Sequence, residues 1–325
     1  MKKNIKILVC YHKKDKLYKN DVLVPIHCGR AVVKEKSKDG IVSDEELNWL
    51  LKNMIGDDTG DNISHLNRDC NEWTAIYWAW KNYDKLGNPD YIGLMHYRRL
   101  FDFSNIFKTS KLGILNKLGL NLKFLNKIFK QYDFIYREGF KIINKTYHNF
   151  DIYQLIANLS QAYHPLLFQY FNKFKDEQIF YCNNMFIMKK DDFFKMCEET
   201  FSLMFDIINI PKDQKMNAFM SWIKENCETK DYERVLKIYK ENNNWYPRYT
   251  SYLMEYVSSF YFMYLKEKYD KKAFSCPVFL TEQNCHQNFL ENIFSVKNLY
   301  ELNHKRKIVN LLGMHFKFKI KSKVL

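Results

Sequence analysis

Residues 5–11, IKILVCY, form a continuous apolar block rich in β-branched side chains and give way at once to the polar HKKDK. A block of that length ending in charge predicts a first parallel strand feeding a loop. DVLVPIHCG (21–29) reads as a second extended piece. Ser43, with Glu46 three positions later, opens SDEELNWLLKN (43–53) as a capping-box pattern and predicts a short helix. The polar GDDTGDNISHLNRD (56–69) predicts a loop. Trp73, Ile76, Tyr77 and Trp80 then recur at helical spacing within 71–87, with Gly87 as the stop. Strands follow at 91–95 and within YDFIYRE (132–138). Residues 147–174 read as mainly helical with an interruption near Pro165, and 179–208 as a strand, a turn at 189–192 and a helix. Beyond 212 the pattern is mostly helical, most clearly at 249–269.

Strand, loop, helix and strand in that order are what α/β layers produce, and ligands in such sheets sit outside the carboxyl ends of the strands. The expected organisation is an α/β domain over 1–265 and a basic, mostly helical region over 266–325. A chain of 325 residues with 46% hydrophobic residues and only 10 Gly and 6 Pro has the composition of a packed protein. The 8 cysteines show no CxxC pair, which argues against a zinc site or a disulfide framework and for reduced thiols. The first apolar run is too short for a signal-peptide core, and no run approaches the roughly 20 apolar residues of a membrane span. A cytoplasmic protein is expected.

The formal net charge of +14 calls for a polyanionic partner: nucleic acid, a nucleotide-bearing substrate or an anionic membrane. Residues 104–130 carry Lys108, Lys111, Lys117, Lys123, Lys127 and Lys130 among Ile, Leu and Phe with no acid, and the tail 304–325 is basic throughout. Two basic amphipathic segments suit a lipid surface, with a solvated terminus as the plainer reading of the tail. Nucleic acid is not expected, because the aromatic residues fall at core-like spacing and no recognition motif appears.

The chemistry concentrates in two places. Asp57, Asp58, Asp61, Asn62, Asn67 and Glu72 occupy the loop and the first helical turn, and YIGLMHYRRL (91–100) ends an apolar strand in His96, Arg98 and Arg99. Asp, Asn and Gly clusters are most often capped surface turns. Adjacent arginines at the mouth of a buried strand, however, suit the bidentate bonds that phosphate oxygens prefer, and a diphosphate is the expected guest. No Asp-x-Asp pair occurs in the chain. A divalent metal on His96 and Asp61 stays open as the alternative to an arginine clamp.

GDDTGDNISHLNRDCNEWTAIYWAWKN, YIGLMHYRRLF and FYCNNMFIMKKDDF, in that order, resemble the bacterial capsule and O-antigen galactofuranosyltransferases, first catalogued as a domain of unknown function. The likeness runs from about residue 5 to about residue 265. It implies a single Rossmann-like glycosyltransferase domain of type A. The implied reaction moves a hexofuranose, galactofuranose or the furanose form of N-acetylgalactosamine, from UDP to a growing capsular or lipopolysaccharide glycan with inversion. The implied acceptor is a lipid-linked glycan at the inner face of the membrane. No cofactor beyond the UDP-sugar is implied, with Mn²⁺ or Mg²⁺ left open by the missing Asp-x-Asp pair. The resemblance points to Glu255 as general base, with Arg248 upstream of it, and to Asp191 and Asp192 as alternatives that helix capping explains equally well. It places Tyr11, His12 and Lys13 at the nucleotide, and His27, Asn183 and Asn184 on the acceptor side. A pyranose or phosphoryl transferase, and a non-catalytic polyanion- or membrane-binding protein, are the competing readings.

Overall fold

The computed structural model describes residues 3–35, 41–104, 113–141, 169, 179–180, 182–211, 233, 249–268, 270–281, 294–301, 304–311 and 314–319. The apolar blocks become the strands of a mixed sheet: β1 (Ile5–Tyr11), β2 (Leu23–His27), β3 (Ile55–Gly56), β4 (Tyr91–His96), β5 (Arg99–Phe101) and β6 (Phe134–Arg137). The short strands β7 (Phe140–Lys141) and β8 (Ile179–Phe180) pair with each other, and β9 (Phe186–Lys189) and β10 (Ala273–Cys276) return to the main sheet. Its order is β10-β6-β9-β4-β1-β2-β3. Neighbours are parallel except around β9, which runs antiparallel to both β4 and β6. The sheet is thus a mostly parallel, Rossmann-like α/β layer, as the alternating pattern predicts.

Helices cover it. In α1 (Asp44–Asn53) the Ser43 hydroxyl accepts from the Glu46 N–H at 3.2 Å, one half of the capping box. The Glu46 carboxylate turns away to accept from the Lys14 N–H at 2.6 Å, tying the helix start to the loop after β1. α2 (Asn67–Cys70) and α3 (Trp73–Lys81) follow, and Gly87 stops the α3 region at φ 77°. α4 (Ile114–Lys117) and α5 (Leu122–Ile128) are short. α6 (Lys190–Asn209) leaves β9 directly, so the turn expected at 189–192 is the first turn of a helix. α7 (Tyr249–Lys268) buries Met254, Tyr256, Val257 and Phe260 through Leu265, the all-round burial of a core helix. Gly93 lies where β4 meets β9. A Cβ there would stand 2.6 Å from the Phe186 carbonyl oxygen, so only glycine permits this strand pairing.

Two expectations are corrected. The chain divides at Met1–Val278 and Phe279–Leu325, not at 265, because β10 adds a parallel edge strand beside β6. The basic C-terminal region is not helical where it is described. β11 (Val278–Leu280) precedes an antiparallel sheet of β12 (Phe294–Glu301), β13 (His304–Leu311) and β14 (Met314–Lys319). The Phe-Lys alternation at 316–319 has a period of two, the strand period, which outweighs a helical reading of the charge. Within 104–130, Leu118, Leu120, Leu125, Ile128 and Phe129 are buried while Lys117, Lys123, Lys127 and Lys130 are exposed. Much of the apolar stripe packs into the domain's own core, while Ile114, Leu115, Leu122 and Phe124 stay half-buried beside the exposed lysines. The helical expectations at 147–174 and 212–248 lie almost entirely outside the described residues.

Candidate functional site

β4 carries His96 to the carboxyl edge of the sheet, where the chain reverses through Tyr97 and Arg98 so that Arg99 pairs back with His96. The two arginines therefore belong to a tight turn at the strand mouth. β6 runs in the same direction as β4 and brings Arg137 to the same edge, whereas antiparallel β9 starts there and is entered through Asn183 and Asn184. The start of α3 contributes Glu72, and α7 contributes Glu255.

Asn183 and Asn184 link these groups. Both adopt left-handed backbone conformations, φ 69° and φ 49°, which for non-glycine residues persist only where the surroundings hold them. The Asn183 N–H donates to Glu255 Oε2 at 2.9 Å, its carbonyl receives His96 Nε2 at 2.8 Å, and its side-chain oxygen accepts from Arg137 Nη1. Because a carbonyl can only accept, His96 carries its hydrogen on Nε2. Asn184, 1% exposed, donates through Nδ2 to Glu72 Oε1 at 2.8 Å and accepts from the Ser258 hydroxyl at 2.7 Å. Asn71, with φ 50°, donates to Ser251 at 2.8 Å and makes a second tie between the start of α3 and α7.

Two carboxylates thus meet one turn. Glu255 is half-buried, and its pKa is raised to about 7, first by burial and then by the like charge of Glu72. The Asn183 N–H, Arg99 and Arg137 pull the other way. Glu72 also lies 3.8 Å from His96 Nε2, with 12% of its side chain exposed. A carboxyl group that titrates near neutrality beside two guanidiniums can accept a proton while developing negative charge is held nearby.

The other expected residues fall elsewhere or do other work. Tyr11 is buried, stacks on Tyr97 at 4.9 Å and binds the Lys16 carbonyl through its hydroxyl at 2.9 Å, so its ring faces are not open to a uracil. His12 is exposed at the same strand end with its ring edge-on to Tyr97, Lys13 is half-buried beside it, and Arg98 lies over the Tyr97 ring at 5.3 Å. His27 is buried, and its Nδ1 accepts from Arg30 Nε at 3.3 Å. Burial and the Arg30 charge push its pKa down to about 3, so it is neutral and closed to an acceptor. Asn67 donates to the Asn71 carbonyl and to Thr74 at 2.7 and 3.0 Å, and Asn62 closes a local turn with Gly60 and Ser64. Both shape the loop. Asp61 is exposed and accepts from the Tyr77 hydroxyl at 3.1 Å, well along α3, whereas His96 engages Asn183 and Glu72 at its start. The two side chains engage different partners, and among the described residues no three His, Cys, Asp or Glu are grouped to hold an ion.

Asp191 and Asp192 follow β9, whose pairing of Lys189 with Tyr91 puts them at the opposite edge of the sheet. Asp192 there faces Lys271 at 3.3 Å. Four strand residues separate the two edges, on the order of 13 Å of rise, so neither aspartate reaches Glu255's surroundings. Arg248 lies outside the described residues. Arg137 and Ser258 were not expected. Arg137 had a readable signal, since FIYR ends an apolar strand in a guanidinium just as YIGLMHYRR does.

No curated protein matches this chain. Among solved structures, the fold is similar to the apo form of WbbM, a bifunctional glycosyltransferase, with a TM-score of 0.58 and 24% sequence identity over 86% of this chain. The match covers 45% of that protein, so this chain spans less than half its length. The likeness shows the fold. At the level of sequence, a family model described as a domain of unknown function, DUF4422, matches residues 6–243, and the chain belongs to that family.

Proposed function

We propose that this chain is a glycosyltransferase that moves a hexofuranose from UDP to a growing surface glycan with inversion. The observation that carries the reading is the half-buried Glu255, with its pKa at about 7, beside Arg99 and Arg137 at the carboxyl edge of a Rossmann-like sheet. In this reading the acceptor O–H bond breaks and its proton passes to Glu255. The freed electron pair forms the new bond to the anomeric carbon as the bond to the diphosphate oxygen breaks. UDP leaves with its added negative charge facing Arg98 and Arg99, which supply the electrostatic stabilisation that a divalent ion supplies elsewhere. A lipid-linked acceptor at an anionic membrane face would account for the net charge of +14.

The test is UDP release from a panel of UDP-hexofuranoses and UDP-hexopyranoses, with and without excess EDTA. Turnover on furanose donors that survives EDTA is expected. Turnover only on pyranose donors would replace the substrate, and loss in EDTA restored by Mn²⁺ would replace the arginine clamp. No thermal shift with UDP or any UDP-sugar would remove the enzyme reading in favour of a polyanion-binding protein.

A further inference from the structure

We propose that Glu72 is a positioning residue paired with Glu255: held beside it by the Asn183–Asn184 turn, its carboxylate opposes a second negative charge at the site. The inference rests on the reading of Glu255 as the proton acceptor and adds a residue that the proposed chemistry does not itself require. Its ground is the joint geometry of the turn. Asn183 gives its N–H to Glu255 at 2.9 Å, and the next residue, buried Asn184, gives its side-chain amide to Glu72 at 2.8 Å. Ser258, three residues after Glu255 on the same helix, takes up the other end of that amide at 2.7 Å. One dipeptide therefore fixes both carboxylates from adjacent positions, and neither can swing away without breaking a half-buried hydrogen bond.

The charged groups around Glu255 are Glu72 from the start of α3, Arg99 from β5 and Arg137 from β6, with His96 from β4 next to Glu72. Burial is the largest influence raising Glu255's proton affinity and Glu72 is the second. The two guanidiniums partly offset them. Arg99 is also a group that a bound diphosphate would engage, which would leave the carboxylate repulsion less opposed and make Glu255 a stronger base when donor is present. Pairs of interacting carboxyl groups titrate as a unit, in two steps that belong to the pair.

The experiment is a ¹³C NMR pH titration of the full-length protein labelled at glutamate side-chain carboxyls, without substrate, alongside the pH dependence of UDP release. In the unaltered protein Glu255 is expected to titrate near neutrality. In Glu72→Gln its midpoint should fall by about one pH unit, the size of a like-charge effect at close range, and Glu72→Asp should restore it. Glu72→Ala, which removes the same charge with a different side chain, should lower the Glu255 midpoint likewise, which keeps the proposal testable if Glu72→Gln does not fold. Midpoints that ignore the partner in both substitutions would overturn the pair. If the NMR shifts occur but the acid limb of the rate profile does not follow them, the pair stands and Glu255 is not the base.

Discussion

Glu255 carries opposite consequences for activity and for stability. Its pKa rises from an ordinary 4.5 to about 7 on folding, so the native state binds more protons than the unfolded chain between those values. Stability is fullest below the unfolded value and falls as pH rises through the folded one. At pH 8 the fold therefore bears the burial of an anion, on the order of 2–3 kcal/mol. Glu255→Gln is expected to raise stability at pH 8 by part of that amount and to leave it nearly unchanged at pH 4, measured by urea unfolding at the two pH values. The same substitution should lower turnover by about 10²–10⁴-fold, the usual contribution of a positioned general base. A variant that loses turnover and also loses stability at pH 8 would mark Glu255 as a structural residue. Arg99→Ala separates the partners further: it removes an opposing positive charge, so the acid limb of activity should move to higher pH even where some turnover survives. His27 gives the fold an independent acid limit, because a buried neutral imidazole with a pKa of about 3 loses its stabilising contribution as pH falls from about 6.5 toward that value.

At the scale of elements, the loop between β3 and α3 is organised by Asp57. Its buried carboxylate accepts from the N–H groups of Gly29 and Arg30 at 2.7 and 3.1 Å and from the hydroxyls of Ser64 and Thr74, both at 2.5 Å. Gly29 stands at φ 70°, and a Cβ there would fall 2.4 Å from the Asn67 side chain, so the turn after β2 requires glycine for both reasons. Asp57→Asn puts an NH2 group where two of these four donors already point and should destabilise the protein by about 2–4 kcal/mol in equilibrium unfolding. An effect below about 1 kcal/mol would show that the loop is held by other contacts. Elements with a local signature were readable from the chain: the β-branched run of β1, the Ser43 cap of α1 and the Gly87 stop. Asp57 looked like one more acidic residue of a surface turn, since its four donors come from positions up to 28 residues away. The backbone conformation of Asn183 and Asn184, and the long-range meeting of Glu72 with Glu255, leave no periodic trace either. Tyr11 was misread because a strand-end aromatic looks the same whether its ring faces a ligand or, as here, Tyr97.

Across the whole molecule, positive charge and apolar surface are distributed differently in the two units. In Met1–Val278 no described helix is long and apolar enough to cross a membrane, and the lysines of α4 and α5 are exposed beside a stripe that is partly buried. In the C-terminal sheet, strand register sorts the residues instead. Lys297 pairs with Ile308 and Ile308 with Lys317, and two positions along Leu299 pairs with Arg306 and Arg306 with Lys319, so these four cations stand on neighbouring strands in register. Basic positions spread over three strands differ from those of an amphipathic helix in that several cations can act on one anionic surface together. If the proposed lipid-linked acceptor is correct, this unit is the element expected to hold the enzyme at the membrane. Each basic residue near an anionic bilayer contributes about 1 kcal/mol, and the contribution decays within a Debye length. Replacing Lys297, Arg306, Lys317 and Lys319 with Gln should therefore lower binding to vesicles rich in phosphatidylserine by at least about a hundredfold at physiological salt. Binding of UDP-sugar in solution should be unchanged, because the residues proposed to contact the donor lie in the other unit. Co-sedimentation at rising ionic strength is the measurement. Vesicle binding that survives the four substitutions, or that does not weaken with salt, would detach the basic sheet from the membrane and return the chain's positive balance to its substrates.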